Sequence, residues 1–147
     1  MRVKLCGQTR PEDVAASVAA GADALGFIVD VPVETPREVG VGRARDLIAD
    51  VPPFVSTVLV TMATDPDRLV ELLDATGADT LQAHAALAPD ELRRVGERAG
   101  VRTVKTVGLD DDAGRYAGAA DALLVDAAGQ EGGGTGRTAD WERARDL

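Results

Sequence analysis

A strand pattern followed by a helix pattern recurs six times along the chain, and this alternation constrains the fold more than any other feature. The stretches GADALGF (21–27), GADTLQA (77–83) and AADALLV (119–125) share a small residue, then Ala, Asp, any residue and Leu. Each stretch follows a helical pattern and opens an apolar run, which predicts a helix end, a turn through Asp and a buried strand. Such strict alternation predicts an α/β fold in which helices pack outside a parallel sheet.

The periodicity gives approximate bounds for each element. We expect strands near 2–6, 23–29, 55–61, 78–83, 101–106 and 121–125. We expect helices near 10–20, 41–50, 65–76, 88–99, 110–117 and 139–147. Thr9 and Glu12 should form a capping box at the start of the first helix. Because no linker or low-complexity segment divides the chain, we expect residues 1–147 to form a single domain.

Charge and composition limit the partners that the chain can have. Its 25 acidic and 16 basic residues give a net charge of −9, which disfavours binding to nucleic acid. Asp outnumbers Glu by 17 to 8 and Lys occurs twice, a composition that favours a halophilic protein over an ordinary acidic bacterial one. A single cysteine fits a reducing cytoplasm. No apolar stretch approaches the roughly 18 residues that span a membrane.

Five features that could take part in catalysis or binding fall at the predicted carboxyl ends of strands. Cys6 ends the first strand, Arg37 lies in the long loop after the second, and His84 ends the fourth. Asp126 ends the sixth strand and is followed by the glycine-rich stretch EGGGTGRT (131–138). The carboxyl ends of parallel strands face a common mouth, where such folds keep their active sites. This convergence favours an enzyme.

Each feature also has an ordinary structural interpretation. A lone cysteine is often a small buried hydrophobe, a carboxylate after a strand often forms a turn, and a lone histidine is often a structural hydrogen bonder. Most loop arginines are simply solvated. The glycine-rich stretch fails the Walker pattern because Glu131 and Arg137 replace the required Gly and Lys, although its bare amides could approach an anion. No cluster of His, Cys and carboxylates has the spacing of a metal site.

Taken in order, these segments resemble the phosphoribosylanthranilate isomerase family, enzymes of tryptophan biosynthesis with a (β/α)8 TIM-barrel fold. KLCGQTRPEDV (4–14) matches the family's opening K-x-C-G-x-T, and GADALGFIV (21–29) is similar to its second strand. TPREV (35–39) is similar to the S-P-R-x-[VI] loop, and LQAHA (81–85) resembles Q-L-H-G with two alanine replacements. LLVDAAGQEGGGTGRTADW (123–141) resembles L-L-D followed by G-G-T-G and a nearby Trp.

The resemblance implies an Amadori rearrangement that needs no metal or cofactor. Asp126 would be the general acid that protonates the furanose ring oxygen, and Cys6 the general base that removes the C2′ proton. Arg37 would lie against the anthranilate carboxylate. We expect the remaining contacts to the small phosphorylated substrate to come from His84, Gly133, Gly134 and Gly136.

Length separates this chain from the family that it resembles. Closed barrels of this type run from about 200 residues upward, and the chain has 147. The resemblance therefore implies an incomplete barrel of about six βα units, without the seventh and eighth units and their phosphate-binding loops.

Three interpretations follow from the incomplete barrel. The chain could be a truncated isomerase, a homo-oligomer that completes its barrel with a second chain, or a non-catalytic barrel fragment or assembly module. Indole-glycerol-phosphate synthase, which has the same fold, is a weaker rival. It depends on catalytic lysines, and Lys105 is the only lysine here beyond the first strand.

Overall fold

The computed structural model describes residues 1–126 and 140–145, in which six parallel strands form one sheet in chain order. The six predicted strands are confirmed as β1 (Lys4–Cys6), β2 (Ala24–Ile28), β3 (Ser56–Thr61), β4 (Thr80–Ala83), β5 (Arg102–Val107) and β6 (Ala122–Val125). Each strand pairs with the next strand along the chain, so that the sheet is a half-barrel with β1 and β6 at its two edges.

Helices follow or precede the strands as the alternation predicts. They are α1 (Pro11–Ala19), α2 (Val41–Ala49), α3 (Pro66–Thr76), α4 (Pro89–Ala99) and α5 (Trp141–Arg145). The prediction of a helix at 110–117 was wrong, because that segment forms only a 3₁₀ turn at Ala113–Tyr116. The turn contains Gly114 and is followed by Gly118 at φ +75°, and glycine is a poor helix former. No helix in the described ranges is both long and apolar enough to cross a membrane.

The start of α1 differs from the predicted capping box. The helix begins at Pro11, so its third residue is Asp13 rather than Glu12. The Asp13 carboxylate accepts hydrogen bonds from the Arg10 backbone N–H (3.1 Å) and the Thr9 hydroxyl (3.0 Å). The Arg10 guanidinium also bonds this carboxylate and holds the pKa of Asp13 at about 2. The predicted capping box is therefore replaced by an aspartate cap one residue later in the chain.

The aspartate of the internal repeat has a structural role that the sequence alone does not reveal. Asp23 accepts a hydrogen bond from the backbone N–H of Val3 at 2.7 Å. Asp79 does the same for Thr57 at 2.9 Å, and Asp121 for Thr103 at 2.8 Å. Each carboxylate therefore ties the amino end of its own strand to that of the preceding strand.

The two faces of the sheet have different surroundings because successive side chains point in opposite directions. One face packs under the helices and forms the main core, which includes Leu25, Phe27, Leu59, Leu81, Leu47, Leu69, Leu92 and Val95. The opposite face carries a smaller apolar group formed by Ile28, Val58 and Val60. The polar residues Cys6 and Gln82 share this second face with Val58 and Val60. The second face therefore combines apolar and reactive side chains.

Candidate active site

A cleft of about 240 Å³ opens at the carboxyl ends of the strands and brings together four residues that the sequence singled out. Cys6, Arg37, His84 and Asp126 all line it. The other three predicted residues, Gly133, Gly134 and Gly136, lie outside the described residues. Within the described ranges, no group of three His, Cys, Asp or Glu side chains could hold a metal ion.

A second, larger groove of about 700 Å³ lies at the opposite end of the sheet, beside α4 and the start of β5. None of the residues predicted from the sequence lines it. Its charged side chains pair with one another, as in the Arg102–Asp121 contact at 2.8 Å and the Arg93–Glu97 contact at 3.4 Å. The charge and chemistry that would bind a substrate are therefore concentrated in the smaller cleft.

Cys6 is exposed at the last position of β1, so its interpretation as a small buried hydrophobe is wrong. The chain turns directly after it through Gly7, whose φ of +95° favours glycine. The N–H groups of Gly7 and Gln8 both donate to the carbonyl of Gly26, at 2.9 and 3.1 Å. These bonds close the turn and leave the thiol facing the cleft.

His84 and Asp126 lie next to each other across the carboxyl ends of β4 and β6. Nε2 of His84 is 3.8 Å from Oδ2 of Asp126, outside hydrogen-bond range, and no described residue bonds this nitrogen. Burial lowers the pKa of His84, and the positive charges of Lys105 and Lys4 lower it further, whereas the negative charge of Asp126 raises it. We therefore expect His84 to be uncharged at neutral pH. Asp126 is fixed through its backbone N–H, which donates to Val107 at 2.9 Å.

Arg37 lines the cleft, and the aliphatic part of its side chain packs on Gly7 in the turn after β1. A Cβ atom on Gly7 would be 3.0 Å from Cδ of Arg37. Lys4 lines the same cleft from β1. Neither cation forms an ion pair with a carboxylate of the described residues, although the chain as a whole is strongly acidic. The cleft can therefore attract an anion.

The loop that carries Arg37 is held by an ion pair between Asp30 and Arg68, neither of which the sequence singled out. Asp30 begins this loop with a φ of +58°, an uncommon conformation that Asp tolerates better than most residues. Its carboxylate pairs with Nε of Arg68 at 2.9 Å, and its carbonyl accepts from the Thr61 hydroxyl at 3.1 Å. An aspartate directly after a buried strand is the only sequence signal for this arrangement.

Lys105 does not belong to the cleft. It is fully buried on the helix-facing side of β5, where Nζ donates to the carbonyl of Thr106 and lies 5.4 Å from the centre of the Tyr116 ring. Burial lowers the pKa of this lysine. This position does not support the rival interpretation that needed Lys105 as a catalytic lysine.

The matching family model and the sequence relatives below name the same family. The sequence model of the family described as N-(5′-phosphoribosyl)anthranilate (PRA) isomerase matches residues 3–147. The N-(5′-phosphoribosyl)anthranilate isomerase of Halorubrum lacusprofundi is 47% identical over 149 residues, covering 99% of this chain and 70% of the relative. The corresponding protein of Halobacterium salinarum is 48% identical over 149 residues, covering 98% of this chain and 68% of the relative.

Solved structures agree with the sequence relatives. A phosphoribosylanthranilate isomerase from Thermus thermophilus superposes with a TM-score of 0.85 at 31% identity, covering 99% of this chain and 70% of that chain. Another isomerase was solved in complex with reduced 1-(o-carboxyphenylamino)-1-deoxyribulose 5-phosphate (TM-score 0.74, 31% identity, 86% and 64% coverage). A third structure shows engineered monomers of a dimeric isomerase from Thermotoga maritima (TM-score 0.72, 27% identity, 86% and 64% coverage).

Proposed function

The chain belongs to the N-(5′-phosphoribosyl)anthranilate isomerase family, and we propose that its cleft converts N-(5-phosphoribosyl)anthranilate to 1-(o-carboxyphenylamino)-1-deoxyribulose 5-phosphate in tryptophan biosynthesis. The reaction is an Amadori rearrangement, in which an aldose amine becomes a ketose amine without an external oxidant. The observation that carries the proposal is that Cys6, Arg37 and Asp126 line one cleft in a chain of this family.

Asp126 acts first as the general acid. Its carboxyl donates a proton to the furanose ring oxygen, the bond from that oxygen to C1′ breaks, and C1′ becomes a protonated Schiff base with the anthranilate nitrogen. Positioned acid catalysis of this kind contributes about 10²–10⁴-fold to a rate. The partial burial of Asp126 beside an uncharged His84 supports this role.

Cys6 then acts as the general base. The thiolate removes the proton from C2′, and the electron pair of that bond neutralises the Schiff base to give an enolamine. The enolamine then tautomerises: the enol hydroxyl releases its proton to solvent and C1′ takes a proton from solvent, which completes the ketose amine. Solvent also returns a proton to Asp126 and accepts the proton on Cys6, so both groups are restored and the substrate and product have the same composition.

Arg37 and Lys4 supply the positive charge that an anionic substrate needs. An arginine side chain can hold a carboxylate by two parallel hydrogen bonds, which suits Arg37 to the anthranilate carboxylate. Both cations line the cleft, and no carboxylate of the described residues pairs with them, which supports a role in binding the substrate. His84 offers its unbonded Nε2 to the sugar, and phosphate contacts from Gly133, Gly134 and Gly136 stay a prediction.

The test is loss of substrate fluorescence with the purified 147-residue chain. Wild-type protein should turn the substrate over, and Asp126→Asn should lower kcat by at least about 10²-fold. Asp74→Asn makes the same substitution at an exposed position on α3 and should leave kcat unchanged. Equal kcat values in Asp126→Asn and wild type would contradict the role of Asp126 as the general acid.

We also propose that the enzyme works in the salt-rich cytoplasm of a halophile. A net charge of −9 and two lysines against fourteen arginines support this, as do relatives from Halorubrum and Halobacterium. Concentrated salt screens the repulsion among surface carboxylates. Activity and unfolding temperature should both rise with KCl concentration, and a maximum for both in dilute buffer would contradict the proposal.

The chain is further proposed to form a homo-oligomer. A related Thermotoga maritima isomerase is dimeric. Apolar side chains at the edges of the sheet support self-association here, because Val3 and Leu5 are each 38% exposed and Leu123 is 41% exposed. Sedimentation velocity at increasing protein concentration tests this, and a monomer at every concentration would exclude it.

A further inference from the structure

Gln82 is a buried side chain that the proposed mechanism does not use. It lies on β4 two residues before His84, faces the cleft and is 6% exposed. In the sequence it stands in the stretch LQAHA (81–85), at the glutamine of the Q-L-H-G pattern.

One end of the Gln82 amide is held by the protein and the other end is not. Nε2 donates to the hydroxyl of Thr106 at 3.2 Å, and Thr106 is fully buried on β5. Oε1 has no hydrogen-bond partner among the described residues. An acceptor that is buried without a partner is destabilising, so its retention needs an explanation.

The strands on either side of Gln82 carry apolar side chains next to it. In the register of the sheet, Val60 lies beside Gln82 on β3 and Val104 lies beside it on β5. Neither side chain can form a hydrogen bond, so these positions of the described sheet offer no donor to Oε1.

Gln8 shows how a buried structural glutamine differs. It is 5% exposed, almost the same as Gln82. Its Nε2 donates to the carbonyl of Leu5 at 3.4 Å, and its Oε1 accepts from the Ser17 hydroxyl at 3.2 Å. Gln8 is therefore satisfied at both ends within the protein, whereas Oε1 of Gln82 has no partner among the described residues.

We propose that Oε1 of Gln82 accepts a hydrogen bond from a hydroxyl group of the substrate's sugar, and that Thr106 is the positioning residue that orients the amide. The inference rests on the proposed function, which puts the sugar between Cys6 and Asp126. Gln82 lies on the face of the sheet that carries Cys6, and its neighbour His84 is 3.8 Å from Asp126. The sugar, rather than the anthranilate ring, is therefore the part of the substrate above Gln82.

The test compares Gln82→Met, Thr106→Val and the double variant with wild type. Gln82→Met should lower kcat/KM, and the affinity for the reduced product analogue, by about tenfold or more, since a hydrogen bond to the substrate is lost. Thr106→Val should cause a smaller loss, because the acceptor remains but its orientation is no longer fixed. Thr103→Val is the matched control on the same strand: it removes a 3.3 Å bond to Asp121 on the helix-facing side and should leave kcat/KM unchanged.

Thermal unfolding separates a substrate contact from a structural role. The double variant replaces both partners of one buried hydrogen bond with apolar groups and also removes the unpaired Oε1, so it should unfold at or above the wild-type temperature. Low activity in a double variant of undiminished stability would support the inference. Wild-type kcat/KM and analogue affinity in Gln82→Met would overturn it, as would activity loss that merely follows a lowered unfolding temperature.

Failure of this inference is distinguishable from failure of the proposed function. A wild-type chain that neither turns over the substrate nor binds the reduced product analogue would overturn both. An active wild type with an equally active Gln82→Met would overturn the role of Gln82 alone.

Discussion

A Cβ atom added to Gly26 would lie 2.8 Å from Sγ of Cys6. The two residues are direct neighbours in the register of β1 and β2. Side-chain carbons do not approach other heavy atoms so closely, so the thiol can occupy its position only because residue 26 has no side chain. The backbone of Gly26 also accepts the two hydrogen bonds that close the turn after Cys6.

We therefore expect Gly26→Ala to displace the Cys6 side chain. If Cys6 is the general base, kcat should fall by about 10²-fold or more, since catalysis by such groups depends on their exact placement. Steady-state kinetics with circular dichroism as a check on folding measure this effect. Gly42→Ala is the matched control, because a Cβ atom there meets open space. Wild-type kcat in Gly26→Ala would contradict the role of Cys6 or the contact.

Arg37→Met should weaken substrate binding more than it slows chemistry. If Arg37 holds the anthranilate carboxylate as proposed, removing that contact should raise KM by about tenfold, since hydrogen bonds to charged groups contribute about 1.5–3 kcal/mol. The loss should be much smaller for a product analogue without the aryl carboxylate, which isolates the pair. Arg45→Met, on the exposed face of α2, serves as the control. An equal loss of affinity for the product analogues with and without the aryl carboxylate would mean that Arg37 contacts another part of the ligand.

The lowered pKa of His84 predicts a pH dependence of stability. Burial puts its folded pKa below the ordinary value of about 6.5, so the unfolded chain binds more protons between those two values. The free energy of unfolding should therefore fall as the pH drops below about 6.5. His84→Gln should lose this component, so denaturant unfolding of both proteins from pH 7.5 to 5 measures the difference. Parallel curves over that range would show that His84 does not titrate as inferred.

The sequence predicted the elements of the fold well because their signals are local. All six strands and the helices α1 to α4 follow from apolar periodicity, from the prolines at helix starts and from the glycines that end α3 and α4. The segment 110–117 failed because a helical pattern of this length is too short to tell an α-helix from a 3₁₀ turn. Element bounds thus came from residues that are close in sequence.

Candidate site residues were predictable only where position carried the chemistry. Cys6 and Asp126 stand at strand ends, and a parallel sheet brings strand ends together. Asp30 was not singled out, and Gln82 entered only as part of the stretch that resembles Q-L-H-G, because their contacts with Arg68 and Thr106 span 38 and 24 residues. Whether a buried polar atom has a partner is a property of the packed structure and not of the sequence pattern.

Lys105→Met should stabilise the protein at neutral pH. The buried ammonium has a carbonyl and the face of Tyr116 as partners, but no described carboxylate lies within ion-pair distance, and burial lowers its pKa. Replacing such a charge with an apolar side chain of similar length should raise the free energy of unfolding by about 1 kcal/mol or more.

The pH dependence of that gain identifies its cause. Because the folded pKa of Lys105 lies below the unfolded value of about 10.5, the unfolded chain binds more protons between those values, and wild-type stability rises with pH there. The advantage of Lys105→Met should therefore shrink as the pH approaches 10.5, as measured by denaturant unfolding at pH 7 and above. Lys4→Met, at a partly exposed position, provides the comparison for loss of a lysine without burial. A Lys105→Met protein less stable than wild type at every pH would mean that the contacts to Thr106 and Tyr116 outweigh the cost of burying the charge.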